Sequence, residues 1–556
     1  MTLHPLSNAQ TRIWYMQTRY PESSLFSIGG TVSIGGNIDV ELLRKAILKV
    51  IRRHDALRFR FTERDGKVFQ YISSESIEPD VLDFSVNPDA KKEYEAWSHS
   101  KTQELFRMLD APMYYFAICK ISQRETVYYV KLHHLIADGW AMKLLTHEIS
   151  RFYEDYILDR HSIEIEAPSY IEYIHDEERY LQSEQGAAAK KFWNDGLKQL
   201  PDCVALQEES LEGERKTVLL DKDFRGRIET FLQTWKVSMN TLFVCVYILC
   251  QYKISGSVAS PVGIPFLGRT GRRERQTFGT FTNPMPFCYT VNANDRIEQL
   301  LRGVQAALGE SLRHQKYPYN HLRQDLMAQG EQGDSALYDT CINYYNTELS
   351  STMAGYSIQN HEFYNGEQGY ALQIIIRHWE TDRLQLDYDY RTSRYTSRQM
   401  EMLHSRMMRI LSVVLDNPEC RIRDFSLLTD QEQERMLDIW NRREKPYPKD
   451  KTLLDLFQAN VQKDPNRVAV SHDHTACTYE ELDRWSDAVA YRLIQLGVKP
   501  GDILPFIPDY KIESIAVILG IMKSSAVYLP IDRKTPEERM LMILENCRAK
   551  FLISEE

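Results

Sequence analysis

Paired cysteines, a basic surplus and long apolar runs are all missing from this chain. Its nine cysteines are scattered over 556 residues, with no two in CxxC spacing. That removes zinc-ribbon and disulfide-framework readings and makes a reducing cytoplasm the natural expectation. Lysine and arginine number 68 against 78 acidic residues, for a net charge of −10, whereas a general nucleic-acid binder carries a basic face. The most apolar stretches, Thr241–Cys250 and Ile515–Met522, fall well short of the roughly 20 residues that cross a bilayer. The first seven residues lack the basic start and apolar centre of a signal peptide. With 25 glycines, 21 prolines and 11% aromatic residues, the chain is neither disordered nor of low complexity. No nucleic acid, membrane or metal is expected as a partner.

What is present reads as several mixed α/β units, three to four on length alone at about 150 residues each. The alternating run Thr31–Ile34 closes on Gly35-Gly-Asn37. A helix then follows, capped by Asp39, with Leu42, Leu43, Ala46, Ile47, Val50 and Ile51 at helical spacing. Its basic residues Arg44, Lys45, Lys49, Arg52 and Arg53 read as a solvated face. The β-branched and aromatic run Thr126–His134 predicts a strand. Its alternation puts Tyr128, Val130, Leu132 and His134 on one face and His133 on the other. After Asp138-Gly139 the period becomes helical, with Leu145, Ile149, Phe152 and Tyr156 as the stripe. The polar, two-proline stretch 441–451 is the best linker, and a shorter α/β segment follows it.

The sharpest chemical signal is His133-His134-Leu-Ile-Ala-Asp138-Gly139. It puts an imidazole at a strand end, then a carboxylate, then a glycine that permits a tight turn. Such a histidine can act as a base near neutral pH. The plainer alternative is a core histidine pair beside a salt-bridged aspartate.

These residues resemble the HHxxxDG signature of condensation domains of nonribosomal peptide synthetases, within the chloramphenicol acetyltransferase-like superfamily. Four further stretches are similar to that family's motifs and occur in its order. They are Leu6-Ser-Asn-Ala-Gln10-Thr-Arg12-Ile-Trp14, Arg53-His-Asp-Ala-Leu-Arg58-Phe-Arg-Phe61, Phe278-Gly-Thr-Phe-Thr-Asn283 and His314-Gln-Lys-Tyr-Pro-Tyr319. Thr282-Asn283-Pro284 departs from the usual Val-Asn-Thr. The tail resembles the start of an adenylation domain, through Thr478–Leu482 and Ile521–Asp532, with Ser524-Ser525 standing where alanine and glycine are usual.

The resemblance implies a two-lobed, V-shaped α/β fold with a tunnel to His134. Residues 1–175 form its N-terminal lobe, 176–435 its C-terminal lobe, 436–452 a linker and 453–556 a partial adenylation domain. It implies an amide-forming acyltransferase in which an amine attacks an acyl thioester. His134 and the Gly139 backbone N–H are then the catalytic groups, with His133, Asp138 and Arg269 in support and Arg269 paired to Asp138 from the other lobe. Arg58 is a candidate phosphate contact, with a surface ion pair as the plainer reading. The substrates are thioesters of CoA or 4′-phosphopantetheine, with no cofactor held covalently. Acyl-CoA or an upstream acyl carrier protein is the expected donor partner, and a downstream peptidyl carrier protein brings the acceptor. Leu6-Ser-Asn-Ala-Gln10 lies only five residues from Met1, which points to a starter, lipoinitiation type that uses fatty acyl or 3-hydroxy fatty acyl-CoA. Alternatives are elongation between two carrier-bound substrates or a non-catalytic docking platform. Adenylation is not expected, since that family's phosphate loop and lysine would lie beyond residue 556. A monomer is expected.

Overall fold

The computed structural model describes residues 2–160, 166–197, 210–328, 336–345, 349–378, 383–428, 430–439, 445–509 and 511–554. Its contacts divide the chain into two compact units, Met1–Thr429 and Asp430–Glu556.

The first unit begins with helix α1 (Asn8–Arg19), strand β1 (Ser27–Gly35), α2 (Val40–Arg53), the hairpin β2 (Phe59–Arg64) and β3 (Lys67–Ile72), then β4 (Asp80–Asp83). Next come α3 (Ala90–Gln103), β5 (Tyr114–Ser122), β6 (Glu125–His133) and α4 (Gly139–Ile157). Helices α5 (Tyr170–Leu181) and α6 (Glu184–Leu197) lead to β7 (Gly213–Leu220), α7 (Lys222–Trp235), α8 (Met239–Ser255), β8 (Val262–Phe266), α9 (Arg272–Gln276) and β9 (Asn283–Phe287). The unit continues through α10 (Ile297–Arg313), α11 (Tyr319–Ala328), β10 (Thr340–Tyr345), β11 (Thr352–Met353), β12 (Tyr356–Glu362), β13 (Leu372–Arg377), β14 (Leu384–Arg391) and α12 (Ser397–Asp416).

Two six-stranded sheets result, in the orders β11-β12-β1-β6-β5-β4 and β7-β14-β13-β10-β8-β9. The lobe boundary at 175 is therefore crossed: β11 and β12, well inside the second segment, pair into the first sheet. Residue periodicity cannot reveal that, because it reports which face of a strand is buried and not which neighbour it joins. In the first lobe, β1, β5 and β6 pack Val32, Ile34, Phe116, Ile118, Tyr128 and Val130 against Leu43, Ile47 and Val50 of α2 and Leu145 and Ile149 of α4. The second lobe is built around α8, whose Met239 and Thr241–Cys250 are all buried. A helix apolar all round belongs in a core, and among the described residues no single helix is long and apolar enough to cross a membrane.

The face of α2 read as solvated is only partly so. Arg53 pairs with Glu148 of α4 at 3.4 Å, and the Lys49 ammonium lies over the Phe152 ring at 4.5 Å.

The second unit holds α13 (Asp430–Glu434), a π-helical turn at Arg435–Ile439, α14 (Leu453–Lys463), the antiparallel pair β15 (Val468–His472) and β16 (Thr475–Thr478), and α15 (Tyr479–Gln495). The parallel pair β17 (Ile503–Phe506) and β18 (Val527–Pro530) flanks α16 (Ile512–Lys523), and α17 (Glu537–Asn546) follows. Residues 440–444 of the expected linker lie outside the described residues.

Candidate active site

The histidine pair sits where β6 ends. The His134 backbone N–H donates to Phe26 O at 2.7 Å, which prolongs the β1–β6 ladder by one rung. His133 is buried. Its Nδ1 accepts the Leu135 backbone N–H at 3.1 Å, so the proton must sit on Nε2, which faces Gln17 Oε1 at 3.3 Å. Gln17 is itself fixed, donating to Tyr20 O and Ser23 O. Burial first, then His134 and Lys131, push His133 down to about 3. It is a neutral ring that ties the strand end to α1 through Gln17.

His134 is placed differently. It lines a cavity of about 650 Å³ together with Gly139, Met142 and Thr146 of α4 and Ile28–Val32 of β1. Val130, Tyr345, Leu349 and Asn360–Glu362 complete the wall. The His134 Nδ1 has no partner of hydrogen-bonding geometry. Burial and the Arg12 charge hold its pKa below the ordinary histidine value against the pull of Asp138. Burial thus favours the neutral ring, the form that accepts a proton.

Asp138 caps α4. Its Oδ1 accepts the Ala141 N–H at 3.0 Å, while Oδ2 accepts from Arg269 Nη1 (2.6 Å), Phe281 N (2.8 Å), Thr282 N (3.2 Å) and Thr282 Oγ1 (3.2 Å). Asp138 and Arg269 side chains are both 0% exposed. Burial opposes ionisation of Asp138, yet the Arg269 charge and the hydrogen bonds outweigh it and hold the carboxyl below its usual range. Arg269 also donates to Glu274 O and Gly279 O and lies over the Phe281 ring at 3.9 Å. This ion pair joins the start of α4 in the first lobe to the β8–α9 loop in the second.

Gly139 is the first residue of α4. The first N–H groups of a helix have no partner within the helix and carry its positive end, which suits an oxyanion. Gly139 is absent from the residues with positive φ, so the backbone makes no use of the turn freedom that glycine permits. A Cβ there would stand 2.9 Å from Cε1 of Tyr345, so close packing of the tyrosine ring is what selects glycine.

The other motifs converge as supports. Gln10 Nε2 donates to Leu135 O at 3.0 Å, directly behind the histidine pair. Asn283 Nδ2 donates to Gln315 O and Tyr317 O, and its Oδ1 accepts the Tyr319 N–H, joining two sequence motifs side by side. His54 Nε2 meets Glu148 at 2.8 Å. Arg58 lines neither cavity described here. Among the described residues it forms no ion pair, and its Nε is buried without a partner.

A second cavity of about 330 Å³ is polar, with Arg12, Tyr173, Glu177 and Lys316 among its residues, and it shares none of them with the first. The charge of Arg12, which lines this second cavity, is nevertheless felt at His134.

Sequence reasoning missed Asn360 and Glu362, which the crossing strand β12 brings to the site, and Tyr345 at the end of β10 in the second sheet. One signal was available: Gly29-Gly30 inside a strand marks a close approach of other atoms. Among the described residues, no group of His, Cys, Asp and Glu is arranged to hold a metal.

The condensation-domain profile matches residues 2–437, and an AMP-binding-enzyme profile matches 457–556. The chain belongs to the condensation-domain family of nonribosomal peptide synthetases, whose members are amide-forming acyltransferases, with part of an AMP-binding region following. It is similar to surfactin synthase subunit 1 of Bacillus subtilis, 28% identical over all of this chain but only 16% of that relative. It is also similar to gramicidin S synthase 2 of Aneurinibacillus migulanus, at 24% identity over 100% of this chain and 12% of the relative. The chain thus spans less than a fifth of the length of these curated relatives.

Among solved structures, a variant of the starter condensation domain of rhizomide synthetase in complex with C8-CoA superposes with TM-score 0.70. The identity is 24%, over 77% of this chain and 98% of that one. A four-domain nonribosomal peptide synthetase bound to AMP and glycine gives TM-score 0.73 at 18% identity, over 100% of this chain and 44% of that one. At these identities the superpositions establish the fold.

Proposed function

We propose that the first unit transfers an acyl group from a CoA thioester to the amine of an aminoacyl thioester carried by a downstream peptidyl carrier protein. The reading is supported most by one observation: His134, whose pKa is lowered toward the neutral ring, and Gly139, the first residue of α4, line one cavity. The amine nitrogen attacks the thioester carbonyl carbon. His134 takes the proton that nitrogen sheds, and the Gly139 N–H meets the oxyanion. The C–S bond then breaks, the amide remains, and the proton passes from His134 to the departing thiolate. Asp138 and Arg269 touch no reacting atom. They hold the start of α4, and so Gly139, in place, while His133 fixes the strand end beneath His134.

The donor is a fatty acyl or 3-hydroxy fatty acyl-CoA. The apolar part of the cavity wall, Ile28, Val32, Val130, Met142 and Leu349, suits an acyl chain. The rhizomide starter domain was solved with C8-CoA, and surfactin synthase is among the relatives. The working protein is a cytoplasmic monomer, with a first lobe of residues 1–175 joined by β11 and β12, a second lobe from the rest of 176–435, linker 436–452 and the adenylation portion from 453.

Incubating the chain with acyl-CoA and an aminoacyl thioester should give the acylated amino acid by mass spectrometry. His134→Ala should remove that product. A chain that binds acyl-CoA and a carrier yet forms no amide with any acyl length would overturn the proposal.

A further inference from the structure

One ring from the second lobe stands against the first turn of α4. Tyr345 is the last residue of β10, and it lines the cavity together with His134 and Gly139. A Cβ on Gly139 would meet Cε1 of this ring at 2.9 Å, Cδ1 at 3.6 Å and Cζ at 3.9 Å. The ring edge therefore fills the place that a side chain on Gly139 would take. It is held from behind as well. Across the parallel ladder Tyr345 pairs with Arg377, the last residue of β13, whose guanidinium lies over the ring at 5.3 Å. Arg377 is itself buried and pairs with Asp387 at 2.8 Å and with Glu362.

The place of this ring decides what surrounds the reacting carbonyl. An oxyanion received by the Gly139 N–H sits about 3 Å from that nitrogen, on the residue whose open side the ring covers. Thr146 and Glu362 line the same cavity, and a gap with polar neighbours takes up water at roughly 30 Å³ a molecule. Water in that gap competes with the acceptor amine. Its oxygen attacks the thioester carbonyl carbon, the C–S bond breaks, and one proton of the water passes to sulfur, leaving a carboxylic acid and the thiol. Resting on the acyltransferase reading above, we infer that the Tyr345 ring shields the donor thioester at Gly139 from water, so that the acyl group leaves as amide and not as free acid. A site closed to water suppresses that side reaction. The role belongs to the ring and not to its hydroxyl, because the ring edge is what fills the space at Gly139.

The test counts products. With dodecanoyl-CoA as donor and a small aminoacyl thioester as acceptor, mass spectrometry reads the ratio of free acid to amide, and the native chain should give mostly amide. Tyr345→Ala should raise that ratio by about tenfold, a small share of what positioning contributes to such reactions. It should still release CoA above the level of His134→Ala, which also shows that the variant is folded. Tyr345→Leu leaves a smaller gap and should fall between, and it carries the test if the alanine variant releases no CoA. Tyr345→Phe keeps the ring and should keep the native ratio. A native ratio in the variants that lack the ring, or an equal rise in Tyr345→Phe, would overturn the inference and leave the acyltransferase reading standing. A native chain that forms no amide from any acyl-CoA would remove both.

Discussion

At the scale of single residues, Asp138 and Arg269 form a buried ion pair in which each charge depends on the other. Removing one partner leaves an uncompensated charge in the interior, so Arg269→Met and Asp138→Asn should each cost about 3–5 kcal/mol in urea unfolding. The double variant should cost no more than either single one, because the stranded charge is gone. The pH dependence follows from the depressed carboxyl of Asp138. A lowered native value adds stability that is complete above the unfolded-state value of about 4 and is lost as the pH falls through the native one. The stability difference between native and Asp138→Asn should therefore stay level from about pH 7 to 5 and shrink in stronger acid. His134 has the opposite consequence for rate. Burial lowers its pKa below the ordinary histidine value, so protonation of the ring should cut kcat/KM only at lower pH than a free imidazole would, and a limb at higher pH belongs to the acceptor amine. A pH–rate profile with an acceptor of altered amine basicity checks this: the higher limb should move with the amine and the lower one should stay.

At the scale of elements, the two helix ends nearest the family motifs show how local rules are kept or strained. α4 starts on Asp138, a good N-cap, and the same residue is claimed by the second lobe. α16 ends differently. Ser525 takes φ 60°, with Ser525 N–H on Met522 O and Ala526 N–H on Ile521 O, the pattern of a Schellman end whose left-handed position favours glycine. This is where the sequence puts serine in place of the family's glycine, and a Cβ there is strained. Ser525→Gly should stabilise the second unit by about 1 kcal/mol, read as a rise in the denaturation midpoint.

At the scale of the whole first unit, the two sheets are locked beside the cavity by charge. Glu362 ends β12, in the first sheet, and binds Arg215 of β7 and Arg377 of β13, in the second. Arg215 also holds Asp389 at 2.6 Å, and Arg377 holds Asp387 at 2.8 Å. Burial raises the Asp389 carboxyl above its usual value despite Arg215. Glu362 is 24% exposed on its side chain, so breaking the lock with Glu362→Gln should cost about 2–4 kcal/mol, somewhat less than for a fully buried pair. Calorimetry would check it: an unchanged transition would mean that the lobes are held by apolar contact alone.

The amino-acid order by itself determined what is local. Hydrophobic period marked β6 and α4, the spacing of His134, Asp138 and Gly139 marked the strand end and helix start, and the family motifs named Arg269 as the partner of Asp138. Those features depend on neighbours within a few positions or on short words of sequence. Only tertiary structure decided that β11 and β12 return to the first sheet, and with them Asn360 and Glu362. It also decided that Gly139 is glycine for Tyr345, a residue more than 200 positions away. Strand partners and side-chain approaches of that kind are settled by which surfaces pack, and no periodicity along the chain carries that information.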